Sequence, residues 1–127
     1  MTLMEKIFIL RSIKPFNRLN DREIIIVANI IESRDYQKGE VIYDNQSFLN
    51  QLYIIAKGKV KQDNTPIKKP YFGLEVLMNK TIKNNIVALE ESTIFSLSQE
   101  HILTLIYESP HLMMGFLQSE EEDRSET

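Results

Sequence analysis

The sequence has no cysteine and only two histidines among its 127 residues. Without cysteine the chain can form no disulfide, no thiolate metal site and no cysteine nucleophile. This composition fits a reducing compartment, and we expect a cytoplasmic protein. His101 and His111 both lie in the C-terminal part, and neither has a second ligand at a spacing typical of metal sites. The sequence therefore predicts no bound metal.

The usual catalytic and phosphate-binding motifs are also missing. There is no G-x-x-x-x-G-K-[ST] loop, no G-x-G-x-x-G fingerprint and no G-x-S-x-G elbow. Glu75, Glu90 and Glu91 are the carboxylates that could pair as acid and base, but carboxylates near turns are mostly solvated. Because no residue can be nominated for catalysis, we predict that the chain is not an enzyme.

Long apolar runs and a strong net charge are absent as well. No stretch approaches the roughly 20 apolar residues that span a bilayer, so we expect no membrane insertion. The net charge of −3 gives no reason to expect a nucleic-acid partner. What remains is the composition of a soluble domain, with 43% hydrophobic and 26% charged residues.

The patterns that are present change their period twice along the chain. "LMEKIFILRSI", which precedes Pro15, and "LNDREIIIVANIIES" have helical spacing, and Asn20 or Asp21 can cap the second helix. From Glu32 to Ser98 short alternating segments predict six or more strands. "QEHILTLIYES" and the stretch opened by Pro110 predict two final helices. Segregated helices and strands indicate the α+β class.

The charges are unevenly distributed. The alternation in "QLYIIAKGKVKQD" places Lys57, Lys59 and Lys61 on one side of a strand, which a solvated sheet face explains at least as well as an anion site. The closing "SEEEDRSET" is polar and self-repelling. We therefore predict a folded domain over residues 1–118 and an acidic disordered tail over residues 119–127. The alternative for this tail is an acidic interaction arm.

Three stretches together resemble the cyclic-nucleotide-binding domain family, whose members are found in catabolite activators, protein kinase regulatory subunits and gated channels. "DYQKGEVIYDNQSFLNQLYIIAKGKVKQ" is similar to the family core, "YFGLEVL" to its F-G-E-x-x-L motif, and "IVALEESTIFSLSQEHILTLIYESPHL" to the strands and helix that follow. The resemblance covers about residues 4 to 117. It implies a mainly antiparallel β-roll, also described as a jelly-roll-like double-stranded β-helix, flanked by N-terminal and C-terminal helices.

The resemblance also implies a ligand site, and this chain departs from it at the decisive positions. We call residues 73–85 the cassette segment, because in the family this segment holds the cyclic phosphate through helix N–H groups, a ribose-binding carboxylate and an arginine. Leu74 stands where the carboxylate is expected, and Glu75 comes one residue late. Counting from Phe72 puts Lys83 in place of the arginine, whereas aligning on the following strand puts Ile82 there.

These departures lead to three functional hypotheses. The first is a non-catalytic regulatory or protein-interaction module that needs no cofactor and does not bind cAMP or cGMP in the usual way. The second is a sensor that binds a cyclic nucleotide or another anion through Lys80, Lys83 and the backbone amides of residues 73–77. A remote third is a cupin-like metalloenzyme. If binding is retained, the candidate ligand-binding residues are Gly73, Leu74, Glu75, Lys83, Asn84 and Asn85.

The expected partner is a protein or another domain of a larger polypeptide. A homodimer through the C-terminal helices is a further alternative, because several apolar side chains there can either cover the roll or form a contact surface: Met113, Met114, Phe116 and Leu117.

Overall fold

The computed structural model describes residues 1–125, with the side chains of residues 1–120. Its four α-helices are α1 (Leu3–Arg11), α2 (Asp21–Ile30), α3 (Gln99–Glu108) and α4 (Pro110–Ser125). Its eight strands are β1 (Glu32–Tyr36), β2 (Val41–Tyr43), β3 (Gln51–Lys57), β4 (Val60–Gln62), β5 (Thr65–Pro66), β6 (Tyr71–Phe72), β7 (Ile86–Ala88) and β8 (Ser92–Ser98). Helices, then strands, then helices confirm the predicted α+β class.

The chain divides into a helical unit and a β unit. The helical unit contains residues 1–30 together with the residues from 100 onward, and the β unit contains residues 31–99. No helix in the part of the chain that the structure describes is long and apolar enough to cross a membrane.

The β unit is built from two antiparallel four-stranded sheets, which confirms the predicted β-roll. Their strand orders are β1-β8-β3-β6 and β2-β7-β4-β5. Apolar side chains from both sheets form one core cluster. Burial of this kind stabilises a fold by about 25 cal/mol per Å² of apolar surface. Apart from β4 and β5, consecutive strands lie in different sheets. Gly39 (φ 88°) and Gly58 (φ 94°) stand in two of the connections, where the positive φ favours glycine.

The alternation predicted for residues 51–61 is wrong beyond Ile55. The register between β3 and β8 shifts between Ile55 and Lys57, which marks a β-bulge. Gly58 then turns the chain at φ 94°, and β4 continues in the other sheet. The lysines of this stretch consequently do not follow one strand edge, because an irregular residue resets the side-chain period of two.

In the helical unit, α2 begins with a reciprocal capping box. The Glu23 N–H donates to Asn20 Oδ1, and the Asn20 N–H donates to Glu23 Oε1, both at 2.9 Å. The Ser109 hydroxyl also donates to the Glu23 carboxylate, and His111 Nε2 lies 3.4 Å from Glu23 Oε1. The hydrogen bond from Ser109 is the main reason that the pKa of Glu23 is lowered. Asn20 is thus the cap, and Asp21 is the first helical residue.

Helix α4 packs against the start of the chain within the same unit. The rings of Phe16 and Phe116 meet edge to face, with centroids 5.7 Å apart, and both side chains are fully buried. Met114 and Leu117 are 55% and 47% exposed, so the predicted apolar group divides into an inward and an outward part. The tail over residues 119–127 stays a prediction: α4 runs across its start to Ser125, and residues 126–127 lie outside the described residues.

Candidate functional site

The cassette segment begins at a position that only glycine fits. Strand β6 pairs Phe72 with Tyr53 of β3, and the two rings stack with centroids 4.8 Å apart. Gly73 follows at φ 93°, in the left-handed region. A Cβ there would lie 2.9 Å from the backbone oxygen of Gln51. Any other residue would therefore be strained both by this close contact and by the positive φ. The glycine of the F-G pair therefore places the cassette segment against β3.

After Gly73 the backbone forms a short 3₁₀ helix, Leu74–Met78, that ends at Asn79 with φ 53°. Gln99 fixes this helix from outside the segment. Its Nε2 donates to the backbone oxygen of Val76 and to Asn79 Oδ1, each at 2.8 Å. A carbonyl group near the end of the helix is thereby hydrogen-bonded by a protein side chain.

Two apolar side chains anchor the cassette segment in the core of the β unit. Val76 is 1% exposed and Ile82 is 3% exposed, and both belong to the same buried cluster as Tyr43 and Ile86. A fully buried aliphatic side chain contributes about 1.5–3 kcal/mol relative to an exposed one. Position 82, one of the two predicted places for the missing arginine, is therefore a core position.

A tyrosine hydroxyl joins the segment to the turn after β2. The Tyr43 hydroxyl donates to the backbone oxygen of Ser47 at 2.9 Å, and it contacts Thr81 Oγ1 at 2.8 Å. Because the phenol has one proton, Thr81 is the donor in the second bond. Tyr53 lies nearby, and its pKa is raised, mainly by burial and further by Tyr36 and Tyr43. The raised pKa keeps the Tyr53 hydroxyl protonated, and a tyrosine side chain supplies no positive charge to this region.

The asparagines at the end of the segment are bound to the turn between β4 and β5. Asn84 Nδ2 donates to Asp63 Oδ2, and Gln62 Nε2 donates to Asn84 Oδ1 at 2.8 Å. The Asn85 N–H donates to Asp63 Oδ1 at 3.1 Å, and Asn85 Oδ1 accepts from the Asn45 N–H at 2.8 Å. The side chains of Asn84 and Asn85 thus connect the end of the cassette segment to residues 62–63 and to the turn after β2.

The six predicted ligand-binding residues therefore have different environments. Gly73 approaches β3, Leu74 and Glu75 are partly buried, and Asn84 and Asn85 bind other protein groups. Lys83 is exposed beside buried Ile82. Lys80 is exposed too, and its N–H donates to the Glu75 backbone oxygen at 3.0 Å. Both lysines of the cassette segment, Lys80 and Lys83, are thus exposed to solvent and neither side chain is buried in the core of the β unit.

Sequence reasoning missed two residues that organise this segment, Asp63 and Gln99. Asp63 adopts φ 52°, a conformation that aspartate tolerates better than most residues, and "QDNT" was a visible turn signal. Nothing local to Gln99 indicated that its side chain reaches residues 76 and 79.

Two clefts open elsewhere on the β unit. One, of about 480 Å³, lies between residues 55–60 and 66–70. The other, of about 360 Å³, is lined by Glu32, Arg34 and neighbours on β3 and β8, with the Arg34 guanidinium 4.9 Å from the centre of the Tyr36 ring. Neither cleft is lined by a residue of the cassette segment. In the described part of the chain, no group of three or more histidine, aspartate or glutamate residues could hold a metal ion.

The family profile of the cyclic nucleotide-binding domain matches residues 33–109, which is more than half of the chain. The chain therefore belongs to the cyclic nucleotide-binding domain family, as the resemblance implied. No curated protein matches the sequence.

Solved structures give the same fold. A putative cyclic nucleotide-binding protein from Geobacter metallireducens is 18% identical, with TM-score 0.71 and coverage of 86% of this chain and 87% of that one. The regulatory domain of Toxoplasma gondii protein kinase A, solved with cAMP, is 16% identical, with TM-score 0.76 and coverage of 94% and 50%. The regulatory subunit of a cAMP-independent protein kinase A from Trypanosoma cruzi, bound to guanosine, is 23% identical, with TM-score 0.69 and coverage of 82% and 41%.

The present chain spans half or less of the two kinase regulatory chains just described. Similar domains thus occur as parts of larger regulatory polypeptides. At these identities the likeness extends to the fold alone.

Proposed function

We propose that the chain is a non-catalytic regulatory or protein-interaction module that does not bind cAMP or cGMP in the usual way. The observation that carries this proposal is the burial of Ile82 in the apolar core, with the neighbouring cation, Lys83, exposed. A cyclic phosphate seated in the roll needs a fixed positive group beside it, and arginine supplies such a group through a planar two-pronged contact.

The expected loss of binding free energy for a cyclic nucleotide follows from two missing contacts. A hydrogen bond to a charged group is worth about 1.5–3 kcal/mol, so a missing arginine and a missing ribose carboxylate together cost about 3–6 kcal/mol. Since 1.4 kcal/mol is a tenfold change, a micromolar site becomes about millimolar. Lys83 does not compensate, because a mobile ammonium is a point donor and this one faces solvent.

Isothermal titration calorimetry with cAMP and cGMP tests the proposal. We expect no dissociation constant below the high micromolar range, and no change in melting temperature at the same ligand concentrations. A low micromolar Kd for either nucleotide would overturn the proposal. If binding is observed, two variants locate it: Lys83→Gln removes a charge from the cassette segment, and Lys57→Gln removes an exposed charge elsewhere. Weakening by Lys83→Gln alone indicates a contact in the cassette segment, whereas equal weakening by both indicates a general charge effect.

A second candidate function is a sensor that binds a cyclic nucleotide or another anionic ligand through Lys80, Lys83 and the backbone amides of residues 73–77. The observation that favours it is the Trypanosoma cruzi relative, which is described as cAMP-independent and bound to guanosine. This relative supports the candidate because it holds a ligand other than a cyclic nucleotide in a domain of the same fold. Guanosine is uncharged, so Lys80 and Lys83 are expected to matter for an anionic ligand. Guanosine and a panel of nucleotides therefore belong in the same titration; saturable binding that weakens in Lys80→Gln or Lys83→Gln would favour this candidate over the first.

Regulation through protein contacts is the remaining part of the proposal. The related kinase domains lie in larger polypeptides, and this chain exposes Met114 and Leu117 on α4. A partner domain, or a second copy of the chain, is expected to cover these side chains in a cytoplasmic setting. Light scattering after gel filtration tests the homodimer: Met114→Ser with Leu117→Ser should abolish it, whereas Leu103→Ser with Tyr107→Ser on α3 should not. A monomeric wild-type chain would exclude the homodimer and leave the partner domain.

A further inference from the structure

Positive charge in the β unit is concentrated away from the cassette segment. Residues 55–70 contain five lysines and one aspartate, a net charge of +4, in a chain whose total is −3. The single acid, Asp63, is occupied by its hydrogen bonds with Asn84 and Asn85. After the charge of Asp63 is counted, the region keeps its net charge of +4.

Part of this charge surrounds a concave site, the 480 Å³ cleft described above, which we call the lysine cleft. Its apolar floor includes Ile55, Val60 and Ile67, and Lys59, Lys68 and Lys69 contribute to its lining. No aspartate or glutamate is among the lining residues. Clefts of roughly 300–1,000 Å³ that combine apolar side chains with a few charged groups are typical of small-ligand sites.

The walls of the lysine cleft are held in place without a ligand. The Ile55 N–H donates to the Pro70 backbone oxygen at 2.8 Å, and the Ile67 N–H donates to the Val60 backbone oxygen at 3.0 Å. Pro66 and Pro70 restrict the backbone of one wall, since their rings fix φ near −65°. Little conformational entropy is consequently lost when the cleft is filled.

The same wall disfavours an extended peptide as the occupant. Addition of a strand needs free backbone donors along a sheet edge. Strand β5 has only two residues, Pro66 has no N–H, and the Ile67 N–H is already used by Val60. A membrane surface is disfavoured for another reason: none of the residues that line the cleft is among the exposed large apolar side chains of the described residues.

We propose that the lysine cleft binds a small soluble molecule that carries two or more phosphate groups and an apolar or planar portion. Lysine ammonium groups bind phosphate as point charges, so several phosphates can be accommodated without a single fixed geometry. The apolar floor would contact the rest of the ligand. This site is separate from the cassette segment, and it can bind whether or not that segment does.

Heteronuclear NMR titrations with ATP and with inorganic tripolyphosphate test this proposal. At 150 mM salt we expect saturable shifts of amides within residues 55–70, with ATP bound more tightly than tripolyphosphate because of the apolar floor. Lys59→Gln with Lys68→Gln should weaken both ligands at least tenfold. The matched control is Lys80→Gln with Lys83→Gln, which removes the same charge from the cassette segment and should change these affinities less than twofold.

The other outcomes overturn the proposal. Shifts that do not saturate by 5 mM ligand, or equal weakening by both lysine pairs, would mean that phosphate only screens the surface charge. Binding to vesicles containing phosphatidylinositol phosphates without binding to ATP or tripolyphosphate would assign the cleft to lipid headgroups. Weakening by the Lys80 and Lys83 pair alone would place the site in the cassette segment, and the proposed function would then need revision as well.

Discussion

The cassette segment and the lysine cleft divide between them the properties of an anion-binding site. The cassette segment has the backbone of such a site: a left-handed glycine, a short helix and a fixed connection to the next strand. It turns apolar Val76 and Ile82 inward and leaves Lys83 exposed. The lysine cleft has the opposite character, with Lys59 and Lys68 at a cavity that the family motifs do not mark.

The difference shows that the backbone geometry of a site and its ligand chemistry are separate properties. A fold is retained as long as glycines and apolar side chains occupy the required positions. Binding depends on a few charged groups, which can disappear from one place without damage to the core. The same fold can then carry positive charge at another place, where only cavity shape and side-chain type indicate a use.

The largest expected effect sharpens this contrast within the cassette segment itself. Ile82→Ala removes a side chain that is 3% exposed and should lower the free energy of unfolding by about 2–5 kcal/mol. Lys83→Ala, one residue away, should change it by less than about 0.5 kcal/mol. Urea denaturation of both variants measures the difference. Similar effects of the two substitutions would contradict the assignment of position 82 to the core and position 83 to the surface.

An intermediate effect is expected at Asp63, which links the two regions. Asp63→Ala removes the acceptor of the bonds from Asn84 and Asn85 and should cost about 1–3 kcal/mol, because hydrogen bonds to a charged group are lost. Asp63→Asn should cost less, since asparagine tolerates the positive φ and keeps one oxygen. Thermal unfolding checks this order.

The same pair of variants also bears on the lysine cleft. Both substitutions raise the net charge of residues 55–70 by one, so phosphate binding should become slightly tighter where the fold is intact. If Asp63→Asn is as unstable as Asp63→Ala, the carboxylate charge matters more than the turn conformation.

The smallest effect on stability is expected from the lysines of the cleft. Lys59→Gln with Lys68→Gln should change the free energy of unfolding by less than about 0.5 kcal/mol, with a slight gain at low salt from reduced repulsion. Urea denaturation at 20 mM and 300 mM salt measures it. A loss above 1 kcal/mol would mean that these lysines have a structural role, and the binding proposal would need to be replaced.

Much of the fold could be predicted because its signals are local. The Asn20 cap and the start of α4 at Pro110 each depend on neighbouring residues, and both are found in the structure. The β-bulge near Lys57 could not be predicted, since it depends on pairing with β8, more than 30 positions later in the chain.

The candidate site was predicted less completely for the same reason. Sequence alignment left positions 82 and 83 as alternatives for the missing arginine, and only the burial of Ile82 distinguishes an inward from an outward position. The bonds of Asp63 to Asn84 and Asn85, and the reach of Gln99 to Val76, join residues that are distant in the chain. The lysine cleft likewise required the fold, because its two walls come from separate segments.

The burial of Ile82 also bears on how such a domain can change over time. Replacing it with arginine would cost packing before any nucleotide contact existed to offset that loss. A sequence drifting toward nucleotide recognition would therefore pass through poorly folded variants, which selection removes. Substitutions on the outer surface of the roll carry no such packing cost, so charged groups are accommodated more readily there than at position 82.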